Sequence, residues 1–528
     1  MPQIKKVLIV GGGSAGWMTA AILSKTCKFL DITLIESKKI GTIGVGESTL
    51  GQINRYLDIL ELKDEDWMKF CNATYKTSIK FTDFRKKGTY FHYPFGDFNT
   101  QYAYNGIMDW CHYQAYSGNK LPVTDFAETF VSQVLMTDRN KLTKNEDQKI
   151  SGFNFHLNTA YHMDAEKFGV FLKEKICLPT GVTRIEDTIV DIKQNETGEI
   201  SEIITEEGLK LTADLYIDCT GFKKLLIEKT MGSEFISFHD VLMNDRALAA
   251  RVPYIDREKE MESVTNCTAI ENGWVWNIPL WHRIGTGYVY SSKFVDKDQA
   301  EIEFKNHLRK RLGDKVEEVE FKSIEIRHGV QKTPWIKNVC AIGLALGFIE
   351  PLESTGLLTA HENLIRLVGT LSRREGYVNQ FDIDGWNFAA REEMEGFKQF
   401  ISIHYALSQR NDTKYWEHVT NNVRYAPSTF DLKPEYRFNN MELMKQLNVD
   451  NRFPSATPDG KIFIAIGMGL NPASEALSKM EAYRFPHALM TWEEVRRTYE
   501  IQKQNAIDHI DTLPTHYEFL RDTIYNDE

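Results

Sequence analysis

The first residues in the chain that could do chemistry are glycines spaced as Gly-x-Gly-x-x-Gly, directly after a short apolar run at residues 6–10. Such a run predicts a buried strand of a parallel sheet. In this pattern Gly11 permits a tight turn, Gly13 lets the backbone approach a pyrophosphate, and Gly16 lets the next helix pack against the strand. The N–H groups at the start of that helix can bind phosphate. The predicted nucleotide contacts in the turn are Gly11, Gly13, Ser14, Ala15 and Gly16.

An acidic residue follows this turn at the distance that nucleotide binding requires. Residues 31–35 predict a second strand, which ends at Glu36, twenty residues beyond Gly16. A carboxylate in that position can hold a ribose hydroxyl. The strand, turn, helix and acid together predict a dinucleotide site, but the motif alone does not separate FAD from NAD.

Two later segments favour FAD. Residues 211–218 predict a strand that ends at Asp218 before a turn of small residues, and residues 339–343 predict another buried strand. A nucleotide site built from the start, middle and last third of a chain is typical of an interwoven flavoprotein rather than a modular NAD domain. Since the sequence has no second Gly-x-Gly-x-x-Gly for NAD(P)H, we expect reduced flavin to come from another protein.

Composition narrows the classes of function. The 528 residues have a net charge of −11, and their basic clusters are short, which argues against a nucleic-acid-binding surface. The longest apolar run, residues 339–349, has 11 residues and two glycines, too few to span a membrane. Seven scattered cysteines without a CxxC pair predict reduced thiols in a cytoplasmic protein, and the 14 histidines show no metal-binding spacing. We expect one compact, multilobed enzyme.

Residues 273–279 contain the pattern WxWxIP, formed by Trp274, Trp276, Ile278 and Pro279. Alternation along a strand would place the side chains of Trp274, Trp276 and Ile278 on one face, which is good core material. The pattern is also characteristic of flavin-dependent halogenases, and the chain resembles the tryptophan-halogenase branch of that family up to about residue 420. Further matching segments are GGGSAGW at 11–17, GVGEST at 44–49, NATYKTSIKF at 72–81, AYHMD at 160–164 and FIEPLESTG at 348–356.

The resemblance implies an α/β fold of the FAD-binding, Rossmann-like type found in flavin monooxygenases. A substrate-covering lobe would be interwoven with the nucleotide segments, near residues 1–50, 160–225 and 335–365 of a core at 1–420. A mostly helical region, residues 421–528, would cover the substrate site. The implied flavin contacts beyond the glycine turn and Glu36 are Ser48, Thr49, Val182, Leu344 and Leu357.

The implied activity uses reduced FAD, oxygen and a halide ion to make hypohalous acid, which halogenates a small electron-rich aromatic molecule. A flavin reductase would supply the reduced FAD, and a homo-oligomer is one expectation for the assembly. The WxWxIP segment would block the substrate from the flavin, which disfavours direct oxygen transfer. An aromatic hydroxylase and a non-catalytic flavin-binding protein are the alternatives.

Lys76 is the leading catalytic candidate. Taken alone, a lysine in this polar stretch is usually solvated, and Lys80 four residues later would share its face. By the resemblance, Lys76 aligns with the lysine that family members place between flavin and substrate. Hypohalous acid is indiscriminate when free, so an ammonium that hydrogen-bonds it, or an amine that it converts to a haloamine, would direct the halogen to one point. Both carriers stay open.

Glu353 is the second catalytic candidate. On its own it could be an acid at a helix start, with Ser354 or Thr355 as the cap. By the resemblance it faces the lysine across the substrate, where it would stabilise the cationic intermediate and take the ring proton. Backbone N–H groups of Thr355 and Gly356, at the start of a helix predicted over 357–367, would bind the halide. Phe348, Pro351, Ser354 and Gly356 satisfy the F-x-x-P-x-x-S-x-G spacing of the family.

The substrate stays open among indole, tryptophan and phenol types. The candidates for substrate contact are His92, Tyr93, Pro94 and Phe95, with core packing as an equal alternative. Tryptophan-specific members grip the amino acid with Tyr, Glu and Trp, but no Trp lies between Trp416 and Trp492, and residues 441–461 give no convincing alignment. Chloride, bromide and iodide are all compatible with N–H donors.

Overall fold

The computed structural model describes residues 3–39, 46–95, 103–118, 120–422, 458–471 and 473–526. The chain forms two compact units, each built from three separate stretches. The first unit consists of Met1–Thr74, Tyr161–His239 and Glu325–Glu395. The second unit consists of Tyr75–Ala160, Asp240–Ile324 and Gly396–Glu528.

The strands are short. In chain order they are β1 (Lys6–Val10), β2 (Asp31–Glu36), β3 (Glu47–Ser48), β4 (Thr74–Lys76), β5 (Ser78–Thr82), β6 (Tyr90–Pro94), β7 (Ala160–Met163), β8 (Thr183–Glu186), β9 (Ile189–Gln194), β10 (Ile200–Thr205), β11 (Lys210–Leu211), β12 (Leu215–Asp218), β13 (Phe235–Ser237), β14 (Arg246–Val252), β15 (Val264–Ala269), β16 (Gly273–Pro279), β17 (Ile284–Tyr290), β18 (Lys322–Glu325), β19 (Gly329–Gln331), β20 (Trp335–Ile336), β21 (Val339–Ala341) and β22 (Gly347–Phe348).

The α-helices range from one turn to seven. They are α1 (Ser14–Thr26), α2 (Ile53–Ile59), α3 (Asp64–Trp67), α4 (Ala103–Tyr116), α5 (Thr124–Phe130), α6 (Gln133–Asp138), α7 (Phe155–Asn158), α8 (Ala165–Phe171), α9 (Arg257–Glu260), α10 (Lys297–Leu312), α11 (Thr355–Ser372), α12 (Gln380–Ala406), α13 (Lys414–Asn422), α14 (Pro458–Gly467), α15 (Glu475–Arg484), α16 (Pro486–Ile510) and α17 (His516–Leu520). Short 3-10 turns at Gly343–Ala345 and Pro351–Glu353 belong to the site described below.

The first unit is organised around a six-stranded sheet in the order β20-β21-β12-β1-β2-β8. All neighbours are parallel except β20 and β21. The central strand β1 is buried after its first residue, because a parallel sheet covered on both faces needs a continuous apolar run. Helix α1 follows β1 and packs against α8 and α11. The sheet edge at which β1, β2 and β12 end therefore lies beside the start of α1.

The predicted strand over residues 211–218 is wrong in its first half. Residues 210–211 belong to β11, in a separate antiparallel sheet with β10 and β9, and β12 begins only at Leu215. Asp214 explains the break, because its carboxylate accepts hydrogen bonds from the backbone N–H groups of Lys5 and Lys6 at 2.8 Å. That side chain turns the chain into β12 and aligns it with β1.

The second unit contains a seven-stranded sheet in the order β18-β14-β17-β16-β15-β5-β6. Strands β15 and β5 are parallel, whereas β5 and β6 form an antiparallel pair. One part of the core consists of α10 residues such as Phe304 packed with apolar residues of β14, β16 and β17. Helix α14 packs on β6, and α15 and α16 pack on α4, so the described C-terminal region is mostly helical, as predicted.

No helix within the described ranges combines the length and the apolar character that a membrane crossing needs. All seven cysteines are buried as free thiols. Across the same part of the chain, no group of three or more His, Cys, Asp or Glu side chains is arranged to hold a metal ion.

The close packing of α1 on β1 gives a stability prediction. We expect Gly16→Ala to lower the free energy of unfolding, measured by urea titration, by about 1–3 kcal/mol, because its Cβ would overlap the Gly11 carbonyl oxygen. The matched control is Gly369→Ala in α11, where a Cβ meets no atom within 4 Å in the part of the chain that the structure describes. There the better helix propensity of alanine should raise stability by about 0.5–1 kcal/mol. Equal effects of the two substitutions would contradict this packing.

Candidate active site

The glycine turn after β1 has one crowded side and one open side. Gly11 has a φ of +114° and lies against the Cys219 carbonyl, and Gly16 lies against the Gly11 carbonyl. A Cβ on Gly13, in contrast, would meet no atom of the described residues within 4 Å. Gly11 and Gly16 are therefore needed for packing, whereas Gly13 borders open space into which a ligand can fit. This arrangement suits the close approach of a pyrophosphate.

Two of the predicted flavin contacts pack directly on this turn. The Cα of Ser14 and the Cβ of Ala15 lie at the start of α1, where the Ser14 hydroxyl donates to the Ala165 carbonyl at 3.0 Å. A Cβ on Gly343 would stand 2.8 Å from the Cβ of Ala15, so the 3-10 turn that carries Leu344 contacts the glycine turn. Val182 is buried immediately before β8.

Glu36 lies at the end of β2, where its carboxylate abuts Gly12. One oxygen accepts a hydrogen bond from Nε of Arg184 at 2.6 Å, and the other accepts one from Nε1 of Trp17 at 3.3 Å. These donors orient the carboxylate, and each of its oxygens can accept a further hydrogen bond. Sequence reasoning missed Arg184, because nothing local in the chain marks β8 as the neighbour of β2.

The Asp218 turn is held by hydrogen bonds from four donors. The Asp218 carboxylate accepts from the backbone N–H groups of Thr220, Leu226 and Ile227 and from the Thr220 hydroxyl, at 2.6–3.0 Å. Burial raises the pKa of this carboxyl against the opposing effect of those hydrogen bonds. Asp218 therefore shapes the loop after β12.

The start of α11 is the predicted halide site. Glu353 is buried at the end of the 3-10 turn, and Ser354 has a left-handed backbone with a φ of +56°. The helix begins at Thr355, two residues earlier than predicted, and ends at Ser372. Ser354 occupies the cap position, but its side chain makes no capping hydrogen bond and instead donates to the Ser48 hydroxyl at 3.1 Å. The capping alternative for Ser354 is therefore wrong.

Strand β3 brings two more predicted flavin contacts to this place. Ser48 pairs with His162 of β7, and the Thr49 hydroxyl both donates to the Tyr161 carbonyl and accepts its N–H, at 2.9 and 2.8 Å. Leu357 is buried in the first turn of α11. Residues 44 and 45 of the GVGEST segment lie outside the described residues.

Lys76 belongs to the second unit and has no exposed surface. Its ammonium lies 5.0 Å from the centre of the Phe95 ring, within the range of a cation–π contact. Phe95 follows β6, and its N–H donates to the Thr77 carbonyl at 3.2 Å. The surface reading of Lys76 is therefore wrong, whereas Lys80 is partly exposed and pairs with Asp138 at 3.5 Å.

The other substrate-contact candidates, His92, Tyr93 and Pro94, lie on β6 and have different surroundings. Both ring nitrogens of His92 are engaged, at 3.0 Å from the Ser78 hydroxyl and 3.0 Å from the Asp138 carboxylate. The Tyr93 ring lies against Gly460 of α14, because a Cβ there would stand 2.8 Å from it. Pro94 pairs with Ser78 at the end of β6. Phe95 contacts the lysine, as described above for its ring.

The WxWxIP residues Trp274, Trp276, Ile278 and Pro279 are all buried in β16. Trp276 pairs with Gly287 of β17, where a side chain would overlap the indole ring. The glycine is therefore required by the tryptophan. Lys76 and the WxWxIP strand belong to the second unit and Glu353 to the first, so the predicted pairing of Lys76 with Glu353 stays a prediction. Residues 441–457 lie outside the described residues.

The parallel sheet, the open glycine turn and the acid at the end of β2 are typical of a dinucleotide-binding protein. A model of the tryptophan halogenase family matches residues 6–436. The chain is 33% identical to 7-chloro-L-tryptophan 6-halogenase KtzR of Kutzneria sp. (strain 744), over 97% of this chain and 98% of the relative. The apo structure of VirX1 is 44% identical, with a TM-score of 0.92 and full coverage of both chains.

Tryptophan 6-halogenase SttH of Streptomyces toxytricini has a solved structure that is 32% identical, with a TM-score of 0.82, over 98% of this chain and 99% of that one. The chain belongs to the tryptophan halogenase family. The predicted fold class and the predicted activity, flavin-dependent halogenation of an aromatic substrate, are thereby confirmed.

The open side of Gly13 gives a binding prediction. Gly13→Val should leave the unfolding midpoint unchanged, because the Gly13 backbone is extended, with a φ of −75°. The valine side chain would fill the space predicted for the pyrophosphate, so the FAD dissociation constant should rise about 10- to 100-fold. Quenching of flavin fluorescence measures the affinity. Unchanged FAD binding by a folded variant would contradict the assignment.

Proposed function

We propose that hypohalous acid made beside the start of α11 is directed by Lys76 onto an electron-rich aromatic ring of the indole or phenol type. The observation that carries this proposal is the fully buried lysine whose ammonium lies 5.0 Å from the Phe95 ring. An ammonium removed from water is a strong hydrogen-bond donor, because no solvent competes for it. The adjacent aromatic ring offers a flat apolar surface for a flat substrate.

FAD is the cofactor that the first unit's residues would hold. Gly13, Ser14 and Ala15 would bind the pyrophosphate, and Glu36 would bind the ribose, oriented by Arg184. The remaining proposed contacts are Gly11, Gly16, Ser48, Thr49, Val182, Leu344 and Leu357. When bound in its reduced form, the flavin supplies the electrons with which oxygen converts a halide into hypohalous acid. A separate flavin reductase would deliver reduced FAD, and the buried free thiols suit a reducing cytoplasm.

The halide would bind at the N–H groups of Thr355 and Gly356. The left-handed Ser354 leaves the first turn of α11 without a side-chain cap, so these N–H groups remain available to an anion. Glu353, one residue before Ser354 and 1% exposed, would take the proton that the aromatic ring releases on substitution. Halogenation then needs no metal ion among its participants.

The central experiment screens free tryptophan, indole and a phenol against chloride, bromide and iodide, with FAD, NADH and a flavin reductase supplied. Mass spectrometry should detect a halogenated product for at least one pairing. Hydroxylated products without halogenated ones would contradict the proposed function, as would a purified folded protein inactive on every pairing.

The role of Lys76 has a matched test. Lys76→Met preserves much of the side-chain volume and removes the nitrogen, so we expect halogenated product to fall about 100-fold or more. Oxygen consumption should continue, and a chemical trap for free hypohalous acid should then collect the halogen. The control is Lys80→Met, which removes a partly exposed ion pair with Asp138 and should change product formation little. Unchanged product formation by Lys76→Met would refute the assigned role.

A further inference from the structure

Glu47, which no step above uses, lies beside the proposed halide site. It forms strand β3 with Ser48, and it pairs with Met163 of β7. The hydrogen bond between the hydroxyls of Ser48 and Ser354 ties this strand to the start of α11. A Cβ on Gly356 would stand 3.7 Å from Oε2 of Glu47, so the carboxyl group faces the first turn of the helix.

A second buried polar group accompanies it. The Thr355 side chain is 1% exposed, and its hydroxyl has no hydrogen-bond partner within the described part of the chain. An uncapped helix start, a buried unpartnered hydroxyl and a carboxyl group thus meet at one point. The first two favour an anion there, whereas an ionised carboxylate would compete with it for the same N–H groups.

We propose that Glu47 couples halide binding to the uptake of one proton, so that a halide binds beside Gly356 only when the carboxyl group is neutral. The inference rests on the proposed halide site and adds its control. In the binding step the carboxylate takes a proton from solvent, the halide enters, and no other bond changes. The neutral carboxyl group can then donate its O–H to the halide, whereas two anions a few ångströms apart in a partly buried site repel strongly.

The protein around Glu47 makes this coupling act near neutral pH. Burial raises the pKa of the half-buried Glu47 carboxyl to about 7. Below about pH 7 the group is neutral in the empty site, and above it the group is charged. Halide affinity should therefore be highest below about pH 7 and should fall as the pH rises. Titratable groups on the elements packed around it are His162 on β7, Glu353 in the 3-10 turn and His361 on α11.

The test is a calorimetric titration of the FAD-loaded protein with bromide between pH 6 and pH 9, in two buffers of different ionisation enthalpy. Above about pH 7 the wild-type dissociation constant should rise up to about tenfold per pH unit, with about one proton taken up per bromide bound. Glu47→Gln should bind bromide with the affinity of the low-pH wild type, at every pH and without proton uptake. The control is Glu61→Gln, an exposed carboxylate of the same unit paired with Lys25, which should titrate like the wild type.

A pH-independent bromide affinity in a wild-type protein that halogenates would overturn the Glu47 inference and leave the proposed function intact. So would retained pH dependence in Glu47→Gln, which would assign the proton to another group such as His162. The proton count of the wild type needs no variant, so the inference is tested even if Glu47→Gln fails to fold. A wild type that neither binds bromide nor halogenates at any pH would instead refute the proposed function.

Discussion

The first unit depends on backbone contacts that leave no room for side chains. Gly11 packs on the carbonyl after β12, Gly16 packs on Gly11, and Gly343 packs on the Cβ of Ala15. These contacts join segments from the start, the middle and the last third of the chain around one turn. Because the segments meet there, the ends of β1, β2 and β12 and the 3-10 turn Gly343–Ala345 lie around the glycine turn. The proposed nucleotide site is thus a consequence of close packing between distant segments.

The second unit buries the ammonium group of Lys76. Desolvating a lysine is costly, so it needs a compensating environment. The Phe95 ring supplies one part of it, and strands β5 and β6 hold that ring in place through the pairing of Ser78 with Pro94. His92 reinforces this end of the hairpin, because its ring bridges Ser78 and Asp138. The pKa of the Asp138 carboxyl is lowered overall. Burial acts to raise this pKa, but the hydrogen bonds from His92 and Lys80 and their charges outweigh burial.

Local patterns predicted the elements whose signals are local. The apolar run of β1, the glycine spacing and the strand ending at Glu36 all occur where the sequence places them. The start of α11 was predicted two residues late. The helix begins at Thr355, directly after Ser354, whose left-handed backbone has no signal in the sequence. The break before β12 was missed, because the partners of Asp214 lie over 200 residues away.

The residues of the candidate site also differ in whether a local sequence pattern or a long-range contact sets their position. Arg184 and Glu36 meet through sheet order, and His92 meets Asp138 across 46 residues. Neither contact has a signature in the sequence. Glu47 was part of a recognised segment, but only the position of Gly356 shows that its carboxyl group faces the helix start. Side chains whose role is set by long-range packing therefore needed the structure, whereas residues in a contiguous motif did not.

In the proposed mechanism the halogen reaches the substrate from one fixed point beside Lys76 rather than by diffusion. The most direct measurement compares the regioisomers of a brominated indole made by the enzyme with those made by free hypobromous acid under the same conditions. We expect one dominant isomer from the enzyme, in a proportion that differs from that of the free reagent. An isomer distribution identical to that of free hypobromous acid would contradict it.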